Sequence, residues 1–245
     1  MNDSTVSREQ WIAARQRLLA KEKELGKLQD EVSRQRREMP RVKLEKEYVF
    51  DTPDGKKTLA EIFDGRSQLI VYHFMFAPGW QAGCLGCSFF ADHVDGANIH
   101  LAHHDVTFVA ISRAPLAEIE AYQKRMGWRF KWVSSNHSDF NYDYHVSFTK
   151  DDVAKGKVYY NYEMTEASTE DLHGTSVFFK DETGAVYHTY SAYARGDERG
   201  LGTYMFLDLT PKGRNENGPK YNLTDWVRRH DEYGDGVAKA SSAET

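Results

Sequence analysis

The chain has 245 residues and a formal net charge of −5 at pH 7, and 40% of its residues are hydrophobic and 28% charged. These fractions are typical of a globular protein and exclude a fibrous or disordered chain. Acidic and basic residues are interleaved, which together with the acidic balance disfavours a nucleic-acid partner. The longest apolar run, residues 69–77, is shorter than the roughly 20 residues that span a bilayer, and the N-terminus shows no targeting signal. We therefore expect a cytoplasmic protein without a membrane partner, whose thiols are reduced at rest.

Residues 7–38 are predicted to form one long helix, which Pro40 ends. Ser7 followed by Gln10 fits a capping box, in which each side chain satisfies a free backbone N–H group. An apolar stripe with a seven-residue repeat follows one helix face and contains Trp11, Leu18, Leu25 and Val32. The stripe fits either a helix packed on its own domain or a homodimer through this helix. We predict residues 1–40 as an N-terminal helical extension.

The next segment predicts strands alternating with helices. Residues 47–63 indicate a short strand, a Pro-Asp-Gly turn and a helical turn. Residues 68–76 and 105–112 are apolar, β-prone runs, as in strands buried on both faces of a sheet. A helix over 115–126 and a short strand over 131–134 follow.

The second half of the chain predicts an insertion and then a hairpin. Residues 135–174 are irregular and rich in aromatic side chains, which indicates an inserted segment or lid over the core. Residues 176–180 and 185–190 flank a turn and predict a β-hairpin. A helical stretch near 203–209 follows, and residues 234–245 are predicted to be a disordered tail.

This order predicts the α/β class, with a domain over residues 41–233. Consecutive strands joined by helices imply parallel pairing with right-handed crossovers. The closing hairpin adds antiparallel strands. We expect a mixed β-sheet flanked by helices on both faces.

The chain contains two cysteines, Cys84 and Cys87, and they are three residues apart. They follow a buried strand and open a helix predicted from about residue 87. The free N–H groups and partial positive charge of a helix N-terminus stabilise a thiolate, which is the nucleophile in thiol–disulfide exchange. We expect Cys84, on the loop side, to attack, and Cys87, one turn into the helix, to resolve the mixed disulfide. The cysteines carry the electrons themselves, so no organic cofactor is expected.

Two other interpretations of the pair stay open. The thiols fit an inert, packed pair, or they fit two ligands of a zinc site. A structural zinc site usually takes four ligands in two pairs, and no second Cys pair exists, so no metal is assigned. Histidines that follow the pair and would have to complete such a site are His93, His100, His103 and His104.

Several segments together resemble a family of bacterial thioredoxin-like proteins that are predicted dithiol-disulfide oxidoreductases and are more distantly similar to peroxiredoxins. The resemblance covers roughly residues 7–232. It implies a thioredoxin fold with an added N-terminal helix, and it supplies no substrate. The segments are QLIVYHFMF, GCLGCSFFAD, DVTFVAIS, GTSVFFKD, VYHTYSAYARG and FLDLTPKGR.

Two departures from related patterns bear on the activity. Peroxiredoxins place a proline and a hydroxyl residue before the reactive cysteine, whereas Pro78 lies one residue too near Cys84 and Ala82 stands where the hydroxyl belongs. This disfavours peroxide reduction. Thioredoxins place a cis-proline beside the pair, and here Thr175 takes that position.

Five further residues are candidates for supporting roles. His73, in the strand before the pair, is predicted to relay a proton to the inner thiol or else to be a core histidine. Trp80 is predicted to wall the site or simply to pack. His188, Tyr190 and Arg195 follow the last strand and are predicted to line a cleft, with Arg195 holding an anionic group, or else to brace the C-terminal helix.

The sequence thus favours a thiol–disulfide oxidoreductase acting on a disulfide or small-molecule substrate and recharged by a cellular thiol reductant. One alternative is a non-catalytic binder on the same scaffold, in which the thiols act as a redox sensor or metal site. Peroxide reduction by Cys84 alone is a third possibility.

Overall fold

The computed structural model describes residues 4–220 and 222–234. The chain divides between Arg41 and Val42 into two compact units. The first unit contains helix α1 (Arg8–Glu38), whose N-terminus forms the predicted capping box: Gln10 N–H donates to Ser7 Oγ at 3.3 Å and Ser7 N–H donates to Gln10 Oε1 at 3.0 Å. The long N-terminal helix is confirmed, and dimerisation through it stays a prediction. Of the predicted tail, residues 235–245 lie outside the described residues.

The second unit alternates strands with short helices. The strands are β1 (Val42–Lys43), β2 (Val49–Thr52), β3 (Gly55–Thr58), β4 (Gln68–His73), β5 (Val106–Ser112), β6 (Lys131–Ser134), β7 (Lys157–Tyr160), β8 (Glu163–Glu166), β9 (Gly174–Lys180) and β10 (Val186–Tyr193). The helices are α2 (Leu85–Ala91), α3 (Val94–His103), α4 (Leu116–Met126), α5 (Phe140–Asp143), α6 (Lys150–Ala154) and α7 (Gly202–Leu207). A 3-10 segment, Ala194–Gly200, joins β10 to α7.

The sheet is mixed, as predicted, and has the order β1-β10-β9-β4-β5-β6-β2-β3. Strands β4, β5 and β6 are parallel, β9 pairs antiparallel with β4, and β10 pairs antiparallel with β9. The apolar run of β4 is explained by its central position, where both faces are covered. A parallel β-α-β unit followed by an antiparallel hairpin, with the cysteines directly after the central strand, is a thioredoxin-like fold.

Alternate residues of β4 point to opposite faces of the sheet. Tyr72 belongs to a core shared with the helices α2, α3 and α4, which also contains Cys87. Leu69 and Val71 belong to a second core on the other face. We call these the thiol face and the opposite face.

The predicted insertion carries α5, α6 and the separate two-stranded sheet β7–β8. Its aromatic side chains explain the composition of the segment, because several are buried in the core of the opposite face, among them Phe140, Tyr144, Phe148 and Tyr160. The extent of the insertion, like the other domain limits, stays a prediction.

The chain after β10 returns to the thiol face and covers α2. Phe89 of α2 forms a small core with Leu201, Tyr204 and Val227. Within residues 4–220 and 222–234, no helix has the length and apolar character of a membrane span.

Candidate active site

The two thiols are placed by the loop between β4 and α2. Cys84 is the N-cap of α2, and its N–H donates to the Met75 carbonyl at 3.0 Å. Glycine fits the preceding position, because a Cβ on Gly83 would lie 2.4 Å from the Phe74 ring and the ring would have to shift. Both cysteines are free thiols; Cys84 is half-buried, and Cys87 is 1% exposed.

Their surroundings separate the pKa values of the two thiols. A hydrogen bond from the Cys87 thiol is the main cause that lowers the pKa of Cys84 from its ordinary 9.0 to about 6, against the effect of burial. The N–H groups of Cys87 and Gly86 and the charge of His173 contribute in the same direction. Burial, and then the hydrogen bond and charge of Cys84, raise the pKa of Cys87 well above 9.0. At neutral pH the outer sulfur is therefore a thiolate and the inner one a protonated thiol.

Tyr72 completes the environment of the inner thiol. It lies on the thiol face of β4, and its hydroxyl donates a hydrogen bond to Cys87. Its ring stacks on Phe90 of α2 with centroids 4.0 Å apart. Burial, followed by the neighbouring cysteine charges, raises the pKa of Tyr72 well above 10.0, so the hydroxyl stays protonated.

A histidine–carboxylate pair lies near the outer thiol. His173 Nδ1 and Asp197 Oδ2 are 2.9 Å apart, and the Asp197 side chain is 5% exposed. Burial alone lowers the pKa of His173, but the hydrogen bond and charge of Asp197 and the charge of Cys84 outweigh it and raise the pKa above 6.5. Both neighbouring charges thus favour the protonated form of His173.

The hydroxyl of Tyr160, from the insertion, joins the two segments that carry this pair. It donates to the carbonyl of His173 at 2.7 Å and accepts from the N–H of Ala194 at 2.9 Å. Tyr160 is 8% exposed, so both bonds are shielded from solvent. The insertion thus fixes His173 relative to the segment that leads to Asp197.

These groups meet at a cavity of about 330 Å³ beside the thiols. The thiol face and the C-terminal part of the chain both contribute to its wall. Residues that line it include Tyr72, Cys84, Cys87, Phe90, His173, Arg195, Asp197, Glu198, Glu216, Asn222 and Leu223.

Over residues 1–233 the sequence matches the model of a family described as "Bacterial protein of unknown function (DUF899)". The chain belongs to this family. The predicted resemblance to a bacterial family with a thioredoxin-like fold is thereby confirmed, and the family description assigns no chemistry. No curated protein matches the chain.

Solved structures of peroxiredoxins show a weak likeness to this DUF899 member. The Xanthomonas campestris bacterioferritin comigratory protein, studied for alkyl peroxide reduction, is 9% identical with a TM-score of 0.45 and covers 63% of this chain and 86% of its own. Peroxidoxin BcpB from Mycobacterium tuberculosis is 12% identical with a TM-score of 0.45, and the match covers 67% of this chain and 95% of the peroxidoxin. Plasmodium yoelii Prx1a is 15% identical with a TM-score of 0.40, and the match covers 69% of this chain and 86% of Prx1a. Likeness at this level carries no activity across.

In the DUF899 chain, only part of the set predicted from the sequence lines the cavity. Arg195 lines it together with the two thiols, and its Nε forms an ion pair with Glu198 at 2.9 Å. Thr175 lies in β9 directly opposite Tyr72, so it is on the thiol face. It does not line the cavity, whereas His173, two residues earlier, does. Trp80 lines a separate groove beside α4.

His73 and His188 lie on the opposite face, away from the thiols. His73 Nε2 and Ser176 Oγ are 2.8 Å apart, and the chain of hydrogen bonds continues through Ser191 to His188 Nε2, with 2.8 Å at each step. Burial lowers the pKa of His73 to about 3 and also lowers that of His188, so both are neutral. Tyr190 pairs with Val177 next to a bulge in β10 and does not line the cavity.

Sequence reasoning missed Tyr72, His173 and Asp197. The signal for Tyr72 was strand alternation: the side chain that faces α2 is the neighbour of His73. A signal for His173 was its place two residues before Thr175, the residue that the sequence suggests in place of the thioredoxin cis-proline. Asp197 carries no local pattern.

The histidines considered for zinc lie outside the cavity. His93 Nε2 is 2.8 Å from Thr203 Oγ1, and His100 and His103 are in the last turn of α3. Among the described residues, no three His, Cys, Asp or Glu side chains are grouped so that they could hold a metal ion.

Proposed function

We propose that this protein is a thiol–disulfide oxidoreductase in which Cys84 is the nucleophile and Cys87 the resolving thiol. The observation that supports it is the pairing of two free cysteines in one cavity wall, where the pKa of Cys84 is lowered and that of Cys87 is raised. A thiolate attacks, and a buried thiol that is protonated at rest cannot compete with it for the substrate.

The reaction takes two exchange steps. Cys84 Sγ attacks one sulfur of the substrate disulfide, the substrate S–S bond breaks, and the first thiol leaves with a proton that His173 is placed to give. Cys87 then loses its proton and attacks Cys84 Sγ, which releases the second thiol with that proton. Two electrons pass from the two cysteines to the substrate, two thiols are formed, and the protein keeps a Cys84–Cys87 disulfide.

The low pKa of Cys84 serves the first step, because it supplies the thiolate that attacks the substrate disulfide. In the second step Cys84 Sγ is the sulfur that Cys87 attacks, and the substrate thiol is the leaving group. Tyr72 supports the second step, because its hydroxyl hydrogen-bonds Cys87 and stabilises the thiolate that forms there. We further propose that the protein works in the cytoplasm, where a cellular thiol reductant reopens the disulfide.

A redox titration tests the proposal. The purified protein is equilibrated in dithiothreitol and glutathione buffers, alkylated and weighed by mass spectrometry. We expect Cys84 and Cys87 to interconvert as one two-electron couple at a potential between about −120 and −300 mV. Cys87→Ser should stop at a mixed disulfide on Cys84, and Cys84→Ser should form none. Absence of a protein disulfide in every buffer would overturn the proposal.

A peroxide arm separates the alternative of peroxide reduction by Cys84 alone. In Cys87→Ser, hydrogen peroxide would produce a sulfenic acid on Cys84. An oxidoreductase that acts on disulfides should react faster with a disulfide than with an equal concentration of peroxide. The reverse order would favour the peroxidase.

A further inference from the structure

The C-terminal segment forms part of the wall of the cavity that contains Cys84. Leu223 lies beside the backbone between the two cysteines, with its Cδ1 only 3.4 Å from where a Cβ on Gly86 would be. The segment is anchored on both sides of α2, because Arg229 Nη2 donates to the Gly83 carbonyl at 2.8 Å and His230 Nδ1 is 2.6 Å from Asp92 Oδ1. The thiolate therefore lies in a recess that the C-terminal segment walls on one side, and not on a flat surface.

The strand beside the thiols offers no backbone to an extended peptide. Thr175, in the position equivalent to the thioredoxin cis-proline, is paired on one side with Tyr72 of β4 and on the other with Ala192 of β10. An extended protein substrate binds by adding a strand to a free edge, and both edges of β9 are occupied here. The volume of about 330 Å³ is at the lower end for small-molecule sites, roughly 300–1,000 Å³.

The cavity wall contains two carboxylates whose bonding capacity the described residues do not fully use. Asp197 Oδ2 is bonded to His173, but Oδ1 is buried and has no partner among the described residues. Glu216 accepts a hydrogen bond from the Tyr204 hydroxyl, and no described residue forms an ion pair with it. Arg195, in contrast, already has a carboxylate partner in Glu198. A buried acceptor without a donor is costly, so the unmatched groups favour a ligand that brings donors and positive charge.

We propose that the cavity binds a low-molecular-mass disulfide whose substituent carries an ammonium group, which reaches the carboxylates of Asp197 and Glu216 while a disulfide sulfur meets Cys84. This inference rests on the proposed function. The exchange is the two-step reaction given above, so each turnover releases two aminothiols and leaves the Cys84–Cys87 disulfide.

Single-turnover kinetics test the charge preference. The full chain is reduced, freed of reductant and mixed with cystamine, 2-hydroxyethyl disulfide, 3,3′-dithiodipropionate or insulin; samples are alkylated, and the Cys84–Cys87 disulfide is quantified by mass spectrometry. The ratio of the cystamine to the dithiodipropionate rate constant is divided by the same ratio for free dithiothreitol, which removes the intrinsic reactivity of the disulfides. We expect a corrected ratio of about ten or more, because a hydrogen bond to a charged group contributes at least a tenfold effect.

Two variants locate the preference. Glu216→Gln keeps an acceptor for Tyr204 but removes the charge, and it should lower the corrected ratio severalfold. Glu120→Gln, on the exposed surface of α4, should leave the ratio at the wild-type value. Since the ratio is first measured on the wild-type protein, the test does not depend on the folding of either variant.

The outcomes separate this inference from the proposed function. A corrected ratio near one, an equal ratio in Glu216→Gln, or faster oxidation by insulin than by any small disulfide would overturn the inference while the redox couple stands. If the redox titration finds no Cys84–Cys87 couple, the proposed function fails and the inference with it.

Discussion

Replacing Cys87 by alanine removes the hydrogen bond that is the main cause of the low pKa of Cys84. With a pKa of about 6, the outer thiol is about nine-tenths thiolate at pH 7, whereas at its ordinary 9.0 it would be about 1% thiolate. The contributions from the Cys87 and Gly86 N–H groups and from His173 remain in the variant. We therefore expect the pKa of Cys84 to rise only part of the way to its ordinary value, to about 8. A pKa of about 8 leaves roughly one-tenth thiolate at pH 7 and slows alkylation close to tenfold.

The assay is the rate of iodoacetamide alkylation of Cys84 between pH 4 and pH 10, with the modified residue identified by mass spectrometry. Cys87→Ser is the matched control, because its hydroxyl still donates a hydrogen bond to the Cys84 sulfur. The serine variant should keep an apparent pKa near that of the wild type, and the alanine variant should not. The same midpoint in both variants would refute the assignment of the low pKa to the Cys87 hydrogen bond.

Four further predictions follow from the same contacts. His173→Gln should raise the pKa of Cys84 by less than Cys87→Ala does, since its charge is a smaller contribution, and an unchanged alkylation profile would contradict this. The pKa of Cys84 in the folded protein is below its ordinary value, so the thiolate stabilises the folded state. The free energy of urea unfolding of the reduced wild type, relative to that of Cys84→Ser, should therefore rise between about pH 6 and pH 9, and this added stability should be lost on acidification. A difference that does not change with pH would argue against the lowered pKa. Tyr160→Phe removes two buried hydrogen bonds and should cost about 1–3 kcal/mol in urea unfolding. Gly83→Ala should lower the melting temperature and cost about 1–3 kcal/mol of stability, because the added Cβ meets the Phe74 ring. Gly86→Ala should lower the melting temperature less, because the nearest contact of its Cβ is at 3.4 Å. Equal changes in melting temperature would show that the ring near Gly83 moves aside.

The elements that sequence reasoning located are those whose residues carry a local signal. The apolar runs of β4 and β5 and the turn between β9 and β10 have composition patterns that tertiary contacts did not override. Strand β1 is two residues long and is defined only by its pairing with β10. The β7–β8 pair contains charged residues, lies outside the main sheet and has no apolar run.

The candidate site also contains residues that a local sequence signal marks and residues that only the tertiary fold brings together. Cys84 and Cys87 are neighbours in sequence, so their spacing already predicted a pair. His173 reaches the cavity only because β9 pairs antiparallel with β4, which brings Gly174 opposite His73. Of the two roles considered for His73, the core histidine agrees with its place on the opposite face. The strand alone did not decide between them, because a shift by one residue moves a side chain to the other face of the sheet.

The separation of the two faces explains why the buried histidines do not titrate with the thiols. The hydrogen-bonded chain from His73 to His188 lies behind the sheet, where burial keeps both imidazoles neutral. On the thiol face, the histidine that affects the thiols is His173. Its carboxylate partner, Asp197, lies beyond the last strand of the sheet. The part of the lowered pKa of Cys84 that comes from His173 thus depends on the chain after β10. A shortened chain that ends at β10 would keep both cysteines and the helix that carries them, but it would lose Asp197 and the cover over the cavity. Cys84 in such a chain should therefore retain the hydrogen bond from Cys87 and lose the contribution from a charged His173.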